Sequence, residues 1–239
     1  MNKCLLFLLI PAFFISCASG PEQPLMPKNL KRGNIQFFET YQTSEMLDSW
    51  RAACNWSKEQ DSLSNTSSQQ LSERTLENLV QLGESNAFGY VREADVPAVK
   101  LRLSDKAFKE KLPENLEFMW SYGLESAPNN QKMFALYAVR VPDSGEAPIN
   151  GKDIQLARHS LSAQTGQPVI NISMTKEGAN KWRQMTRKNI NRYIAVTMDQ
   201  KVLSCPLVNM EISGGETEIS GNFSVKEAEK LASQINGEK

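Results

Sequence analysis

Residues 212–232 read ISGGETEISGNFSVKEAEKLA, and this stretch decides the fold of the carboxy-terminal half. Its glycines give positions without a Cβ, where a strand can bulge or the chain can turn back with positive φ. Ser224 and Glu227 predict a capping box, because each side chain can bond the other residue's backbone N–H. Apolar residues then recur at helical spacing at Val225, Ala228, Leu231, Ala232 and Ile235. The stretch therefore predicts a turn that leads directly into a final amphipathic helix.

Runs rich in β-branched and aromatic residues predict strands, most of them in pairs. The runs lie at 35–41, 116–120, 133–141, 154–161, 169–174, 193–198 and 201–204. Polar turns join the second run to the third and the fourth to the fifth, and a tight turn at Asp199 and Gln200 joins the last two. The sequence therefore predicts antiparallel hairpins.

Apolar residues three and four positions apart predict helices between these strands. One helix, capped by Thr43 or Ser44, reaches about Trp56, and another follows Thr175 as N-cap. The segment 71–82 has helical spacing, whereas 95–112 suits a helix with a break near Ser104 or, by its alternation, a strand. The Ser-rich segment 58–70 predicts a mobile surface loop. The whole pattern predicts an α+β fold with antiparallel or mixed sheets and packed helices.

The first residues predict export and lipidation. An apolar run from Leu5 to Ile15 follows Lys3 and is too short to cross a bilayer core of about 30 Å. Because the run ends in Ser16 and Cys17, we expect residues 1–16 to be a signal peptide and Cys17 to carry lipid. An ordinary secretory peptide, cut near Ala18 or Gly20, is the alternative. Residues 17–33 would then be the lipidated Cys and its tether.

Charge and cysteine content limit the classes of function. The chain has 27 Lys and Arg against 27 Asp and Glu, so neither a nucleic-acid surface nor an acidic tail is indicated. Cys54 and Cys205 are the two thiols left after the signal peptide and the lipidation site are set aside. An oxidising compartment permits a disulfide between them, and the alternative is two separate buried thiols.

Four stretches of the sequence resemble the first periplasmic domain of SecD and fused SecDF, accessory subunits of the Sec protein-export machine. They are Asn171–Ala179, Ile194–Asp199, Ser204–Asn209 and Ile212–Ala232, and the last is close to a signature. Ile35–Tyr41 and Asn115–Trp120 further resemble the version found in the Bacteroidetes. The resemblance implies a base-like region at 34–112 and a head-like subdomain at 113–239. Gln200 departs from the pattern, because the family commonly has Gly in that tight turn.

The resemblance implies a binding module without catalytic residues or a cofactor. In the family, this domain has a mobile head that contacts an emerging preprotein, while membrane helices couple its movement to proton flow. We therefore expect an extracytoplasmic lipoprotein that contacts exported polypeptide or Sec translocon components and has no proton-driven activity of its own. Ala18 favours the outer membrane over the inner one. The alternative is an envelope lipoprotein with a structural or assembly role unrelated to Sec export.

Candidate reactive residues do not form a catalytic pattern. His159 is the only histidine and has no Cys or carboxylate cluster at ligand spacing, so we expect no metal site and an exposed strand position. We interpret the dense carboxylates Glu216, Glu218, Glu227 and Glu229 as a solvated face. The signature residues are interpreted as structural, and they are Gly214, Gly215, Gly221, Asn222, Phe223, Ser224 and Glu227. Strand aromatics left exposed are candidate polypeptide contacts, and a free sheet edge is another.

Overall fold

The computed structural model describes residues 34–63 and 75–238, so the predicted signal peptide, lipidation site and tether lie outside the described residues. The strands are β1 Ile35–Thr40, β2 Gln81–Leu82, β3 Gly89–Val91, β4 Leu116–Ser126, β5 Lys132–Arg140, β6 Ile149–Asn150, β7 Ile154–Leu161, β8 Pro168–Met174, β9 Ile194–Met198, β10 Lys201–Ser204 and β11 Glu216–Ser220. The α-helices are α1 Thr43–Leu63, α2 Leu76–Leu79, α3 Val96–Ser104, α4 Lys106–Lys109, α5 Lys176–Lys188 and α6 Val225–Asn236. Within the described ranges, no helix is long and apolar enough to cross a membrane.

Five strands of the large sheet close on themselves. The order of the eight-stranded sheet is β2-β3-β5-β4-β10-β9-β1-β6, and β1 also pairs with the end of β5. The path β5-β4-β10-β9-β1 therefore returns to β5 and forms a small barrel. Its interior is filled by alternate residues of the five strands, including Phe38, Tyr137, Val139, Ala195 and Val202.

Two layers cover opposite sides of this barrel. On one side, the outward residues of β4 and β5 pack against α1 to α4, where Trp50 contacts Phe88, Phe108 and Phe118 edge-on at centroid distances of 5.0 to 6.0 Å. On the other side, the outward residues of β1, β9 and β10 pack against α5, α6 and a second sheet. Phe37 and Trp182 meet there edge to face at 5.5 Å. The described residues thus form three apolar clusters, one inside the barrel and one on each of two sides of it.

The second sheet has three strands in the order β11-β8-β7, all antiparallel. Helices cover one of its faces, and the other carries polar side chains such as Arg158, Ser160 and Glu218, which are exposed. The large sheet takes β1 and β3 from residues 34–112 and β4, β5, β9 and β10 from residues 113–239. It therefore crosses the predicted boundary between the two regions.

The α+β class and the three predicted hairpins are confirmed. Asp199 and Gln200 both have positive φ, 50° and 62°, so the tight turn forms without the family's glycine. The ambiguous segment 95–112 is helical, interrupted where the side chain of Asp105 accepts the N–H of Phe108 and starts α4.

Two predicted boundaries were wrong. The surface loop predicted over 58–70 was wrong for residues 58–63, because α1 continues to Leu63 and Lys58 bonds Glu77. The helix expected over 71–82 is limited, in its described part, to α2. The next residues, 81–82, instead form β2, a short strand that pairs with β3.

Candidate functional site

A cleft opens where two neighbouring strands of the barrel separate. The parallel strands β4 and β10 pair only at Trp120 with Lys201 and at Ser121 with Val202. Beyond these pairs the strands diverge, and a cleft of about 580 Å³ lies between them. The far wall is the end of β11 and the connection Gly221–Phe223, which belongs to the predicted signature.

A bulge in β4 produces this divergence. Between Trp120 and Leu124 the strand advances four residues while its partner β5 advances two, from Leu136 to Phe134. Ser121, only 1% exposed, holds the bulge closed. Its hydroxyl donates to the carbonyl of Gly123 at 2.6 Å and accepts the N–H of Ala135 at 3.0 Å. The serine therefore replaces the backbone partner that β5 would otherwise lose.

The cleft walls combine main chain, aromatic rings and few charges. Tyr122 and Phe223 meet edge-on at 6.2 Å across the junction of β4 with the signature loop. The amide of Asn222 donates to the carbonyl of Leu124 at 3.3 Å, which ties the loop to the bulged strand. Glu125 and Lys132 are the lining residues that carry charge. Such a surface suits a polypeptide better than a highly charged ligand.

Glu125 and Tyr137 form a polar pair on the barrel side of the cleft. The hydroxyl of Tyr137 donates to the Glu125 carboxylate, with distances of 2.9 and 3.0 Å to its two oxygens. Burial raises the pKa of Glu125, and the bond from Tyr137 offsets only part of that effect. Burial and the nearby Glu125 likewise raise the pKa of the Cys205 thiol. Glu125 therefore gives up its proton less readily than an ordinary glutamate, and the thiol of Cys205 is held in its unreactive form.

The structure requires glycine at two of the signature positions, for different reasons, but not at the third. Gly215 has a φ of 71°, and a Cβ there would lie 2.6 Å from the Cβ of Ala179. A Cβ on Gly221 would lie 2.4 Å from the ring of Phe223 and 2.9 Å from the carbonyl oxygen of Leu203. Gly214 faces open space. Gly221 thus lets the loop approach β10 closely enough to form the cleft wall.

The predicted cap that follows the loop is present. The Ser224 hydroxyl accepts the N–H of Glu227 at 3.2 Å, and the Glu227 carboxylate accepts the N–H of Ser224 at 2.8 Å. This capping box starts α6 directly after Phe223, a ring that is only 7% exposed. The box therefore fixes the position of the signature loop as well as the helix.

The remaining candidate residues lie apart from the cleft. His159 is exposed on β7, as predicted, and residues 34–63 and 75–238 contain no group of three His, Cys, Asp or Glu suited to a metal ion. The four dense carboxylates, Glu216, Glu218, Glu227 and Glu229, are all exposed.

Of the two candidate cysteines, Cys205 lines the cleft and Cys54 does not. Cys54 and Cys205 have free thiols in different apolar clusters, so the disulfide alternative is not the arrangement in the structure. Burial raises the pKa of Cys54 to about 12.

The predicted strand aromatics divide between core and partial exposure. Phe37, Phe38 and Tyr137 are buried, whereas Tyr41, Phe118, Trp120 and Tyr122 are half-buried. Of these, Tyr122 and Tyr137 line the cleft. Sequence reasoning missed Ser121 and Glu125, because no local pattern shows that β4 bulges. The serine and glycine at 121 and 123, within an apolar strand, were the available signal.

Comparison with known proteins relates the second half of the chain to one family. Residues 130–238 match the family described as SecDF, P1 head subdomain. The chain is 40% identical to protein translocase subunit SecD of Acidaminococcus fermentans over 88 residues, covering 37% of this chain and 21% of that protein. It is 34% identical to SecDF of Thermus thermophilus over 94 residues, covering 39% of this chain and 13% of that protein. The chain thus spans a small part of each relative.

One longer sequence match and two solved structures are also similar to this chain. SecD of Rhodothermus marinus is 27% identical over 155 residues, which cover 64% of this chain and 24% of that protein. A crystal structure of SecDF in a super-membrane-facing form has a TM-score of 0.38 at 21% identity, covering 91% of this chain and 30% of that chain. A structure described as a membrane component SecDF that enhances protein export has a TM-score of 0.37 at 19% identity, covering 85% of this chain and 93% of that chain.

Proposed function

We propose, from the premise that residues 130–238 form a head subdomain of the SecD/SecDF type, that this chain contacts exported polypeptides or components of the Sec translocon. The named relatives are subunits of a protein translocase, and this chain shares their head subdomain. It works on the extracytoplasmic side as a binding module. This role requires no proton-driven activity of its own, because it consists in holding an extended chain by hydrogen bonds.

The observation that carries this proposal is the pair of strand edges facing the cleft. Past Ser121 and Val202, neither β4 nor β10 has a strand neighbour on the cleft side within the described residues. Main-chain donors and acceptors on a strand edge bind an extended polypeptide with little regard for its side chains. A module that meets many different exported chains needs this kind of tolerance.

The side chains of the cleft support binding and not chemistry. Tyr122 and Phe223 give aromatic surface at its edge, while Cys205 is buried with a raised pKa. A thiol with a raised pKa is a poor nucleophile, and Glu125 is engaged by Tyr137. We therefore propose a module that acts by contact alone.

Membrane attachment is also part of the proposal. Cys17, at the end of the apolar leader, is the residue we expect to carry lipid. Several acyl chains anchor a protein durably, whereas one chain binds a membrane weakly. The folded part would then work in the periplasm beside the membrane, with the outer membrane favoured by Ala18.

Site-specific photocrosslinking in living cells tests the proposal. A photoreactive amino acid at Ser220, an exposed residue in the cleft wall, should capture exported polypeptides or translocon components. Ser213 is the matched control, because it is an exposed serine before the start of β11, at the opposite end from Ser220, and does not line the cleft.

Equal capture from the two positions would contradict the cleft as the contact site. Deletion of the protein distinguishes the alternative role. Unchanged export kinetics together with an altered set of surface lipoproteins would favour a function in envelope assembly over one in export.

A further inference from the structure

The outer edge of β7 carries main-chain groups that point away from the sheet. Strand β7 has β8 as its one strand neighbour among residues 34–63 and 75–238. In an antiparallel pair the residues alternate between bonding inward and pointing outward. The N–H of Ser162 bonds inward, toward the β8 side, to the carbonyl of Gln167 at 2.8 Å. Ser160 and Arg158 lie two and four residues earlier in the chain, so their main-chain groups also point inward. Ala157, His159 and Leu161 therefore direct their N–H and C=O groups outward.

The structure already fills one of these outward positions with a peptide-like group. The side-chain amide of Asn236, at the end of α6, bonds both outward groups of Ala157. Its Oδ1 accepts the N–H at 2.8 Å, and its Nδ2 donates to the C=O at 2.9 Å. A carboxamide that accepts and donates in this way occupies the place of the peptide group of a neighbouring strand. The edge is therefore geometrically able to accept a strand.

Past Ala157 the edge is open apart from a long hydrogen bond of 3.5 Å, which the Ser160 hydroxyl donates to the carbonyl of Leu161. His159 and Leu161 are exposed, and Leu161 presents an apolar side chain that is 61% exposed. No described residue bonds the outward groups of His159. Native sheets usually protect such an edge with a charge, a bulge or a covering element, and here Asn236 protects only the first position.

We propose that this open edge, residues 159–161, binds an extended polypeptide segment as an added strand. The proposal rests on the proposed function and extends it, because Gln167, bonded to Ser162, also lines the cleft. A chain held at the cleft can therefore reach the edge of β7 over a short distance. When one polypeptide binds weakly at two sites, binding at the first site raises its effective concentration at the second.

A second copy of the protein fits this edge less well than a peptide. The open stretch is three residues long, far short of the roughly 1,200 Å² that a stable protein interface buries. A short, weak and sequence-tolerant contact with a passing chain has no such requirement for area.

The test uses a variant that removes an outward N–H without touching the pairing with β8. Since the N–H of His159 points outward, His159→Pro should be tolerated as an edge proline and should abolish one donor. His159→Thr is the matched control, because it also removes the imidazole but keeps the N–H. The probe is a fluorescent peptide of alternating valine and glutamate, titrated into the whole protein.

We expect His159→Pro to weaken binding about tenfold and His159→Thr to change it less than about threefold. In the unmodified protein, the backbone amides of His159 and Leu161 should gain protection from hydrogen exchange when peptide is added. A peptide N-methylated at alternate residues should bind weakly even if the proline variant fails to fold, because it removes the same bonds from the partner.

Three results would overturn the proposal. One is equal binding by the proline and threonine variants, and another is full binding of the N-methylated peptide. The third is a concentration-dependent dimer that His159→Pro abolishes without any effect on peptide binding. If Ser126→Trp, which places a large ring in the cleft, still prevents binding in these cases, the proposed function survives and only the role of the edge is lost.

Discussion

Gly214 and Gly215 stand side by side but have different surroundings. Gly215 has positive φ and lies against Ala179, whereas the position of a Cβ on Gly214 is open. Gly215→Ala should therefore destabilise the fold by about 2 kcal/mol, from left-handed strain and overpacking. Gly214→Ala is the matched control and should cost less than about 0.5 kcal/mol. Denaturant unfolding measures both, and equal losses would contradict the assigned conformations.

Glu125 predicts a defined dependence of stability on pH. Because burial raises its pKa in the folded state, folding favours the protonated carboxyl. Its contribution to stability is therefore full below the unfolded-state pKa. It is lost as pH rises through the raised folded-state pKa.

Relative to the unmodified protein, Glu125→Gln should flatten the dependence of the unfolding free energy on pH as the pH rises above about 4.3, the ordinary pKa of a glutamate. Glutamine still accepts the bond from Tyr137, so the geometry of the wall is kept. Glu218→Gln, at an exposed position, is the control and should leave the pH profile as it is. An unchanged profile in Glu125→Gln would show that the carboxyl titrates alike in the folded and unfolded states.

At the level of elements, α6 is joined to the edge of β7 through a single side chain. Asn236 is 7% exposed and satisfies two backbone groups of Ala157. Asn236→Ala should cost about 2 kcal/mol, because both groups lose their partner. Gln234→Ala, at a half-buried position of the same helix, should cost clearly less. Thermal or chemical unfolding compares the two, and equal costs would contradict a specific role for the amide.

The sequence predicted helices and strands correctly where they depend on residues close together in the chain. The capping box at Ser224 and Glu227 and the N-cap at Thr175 each depend on residues three positions apart, and both are present. The end of α1 was not predictable, because the bond from Lys58 to Glu77 joins positions far apart in the chain. The last turns of this helix are polar and resemble a loop in composition.

The cleft could be predicted only in part. Its signature wall was found from residues 221–223, since that motif is local. Its other walls depend on β4 pairing in parallel with β10 and then bulging around Ser121. Pairing between strands that are distant in the chain produces no periodic pattern in the sequence. The sequence around Glu125 and Tyr137 likewise gives no sign that the two side chains bond each other.

At the scale of the whole molecule, a closed five-stranded barrel lies between a helical layer and a three-stranded sheet with two helices. Within the barrel, β1 with β5 and β4 with β10 share two residue pairs each, and the β4–β10 seam is the one beside the cleft. The cleft opens at this short seam and is bounded by the head signature. Binding at the seam would therefore involve the barrel and the three-stranded sheet together.

Titration of the whole protein with a fluorescent unfolded polypeptide tests the cleft most directly. Ser126→Trp places a large ring in the cleft, and Ser213→Trp places the same ring on exposed surface elsewhere. The account predicts that Ser126→Trp weakens binding at least about tenfold while Ser213→Trp binds like the unmodified protein. Equal affinity of the two tryptophan variants would contradict the cleft as the polypeptide-binding site.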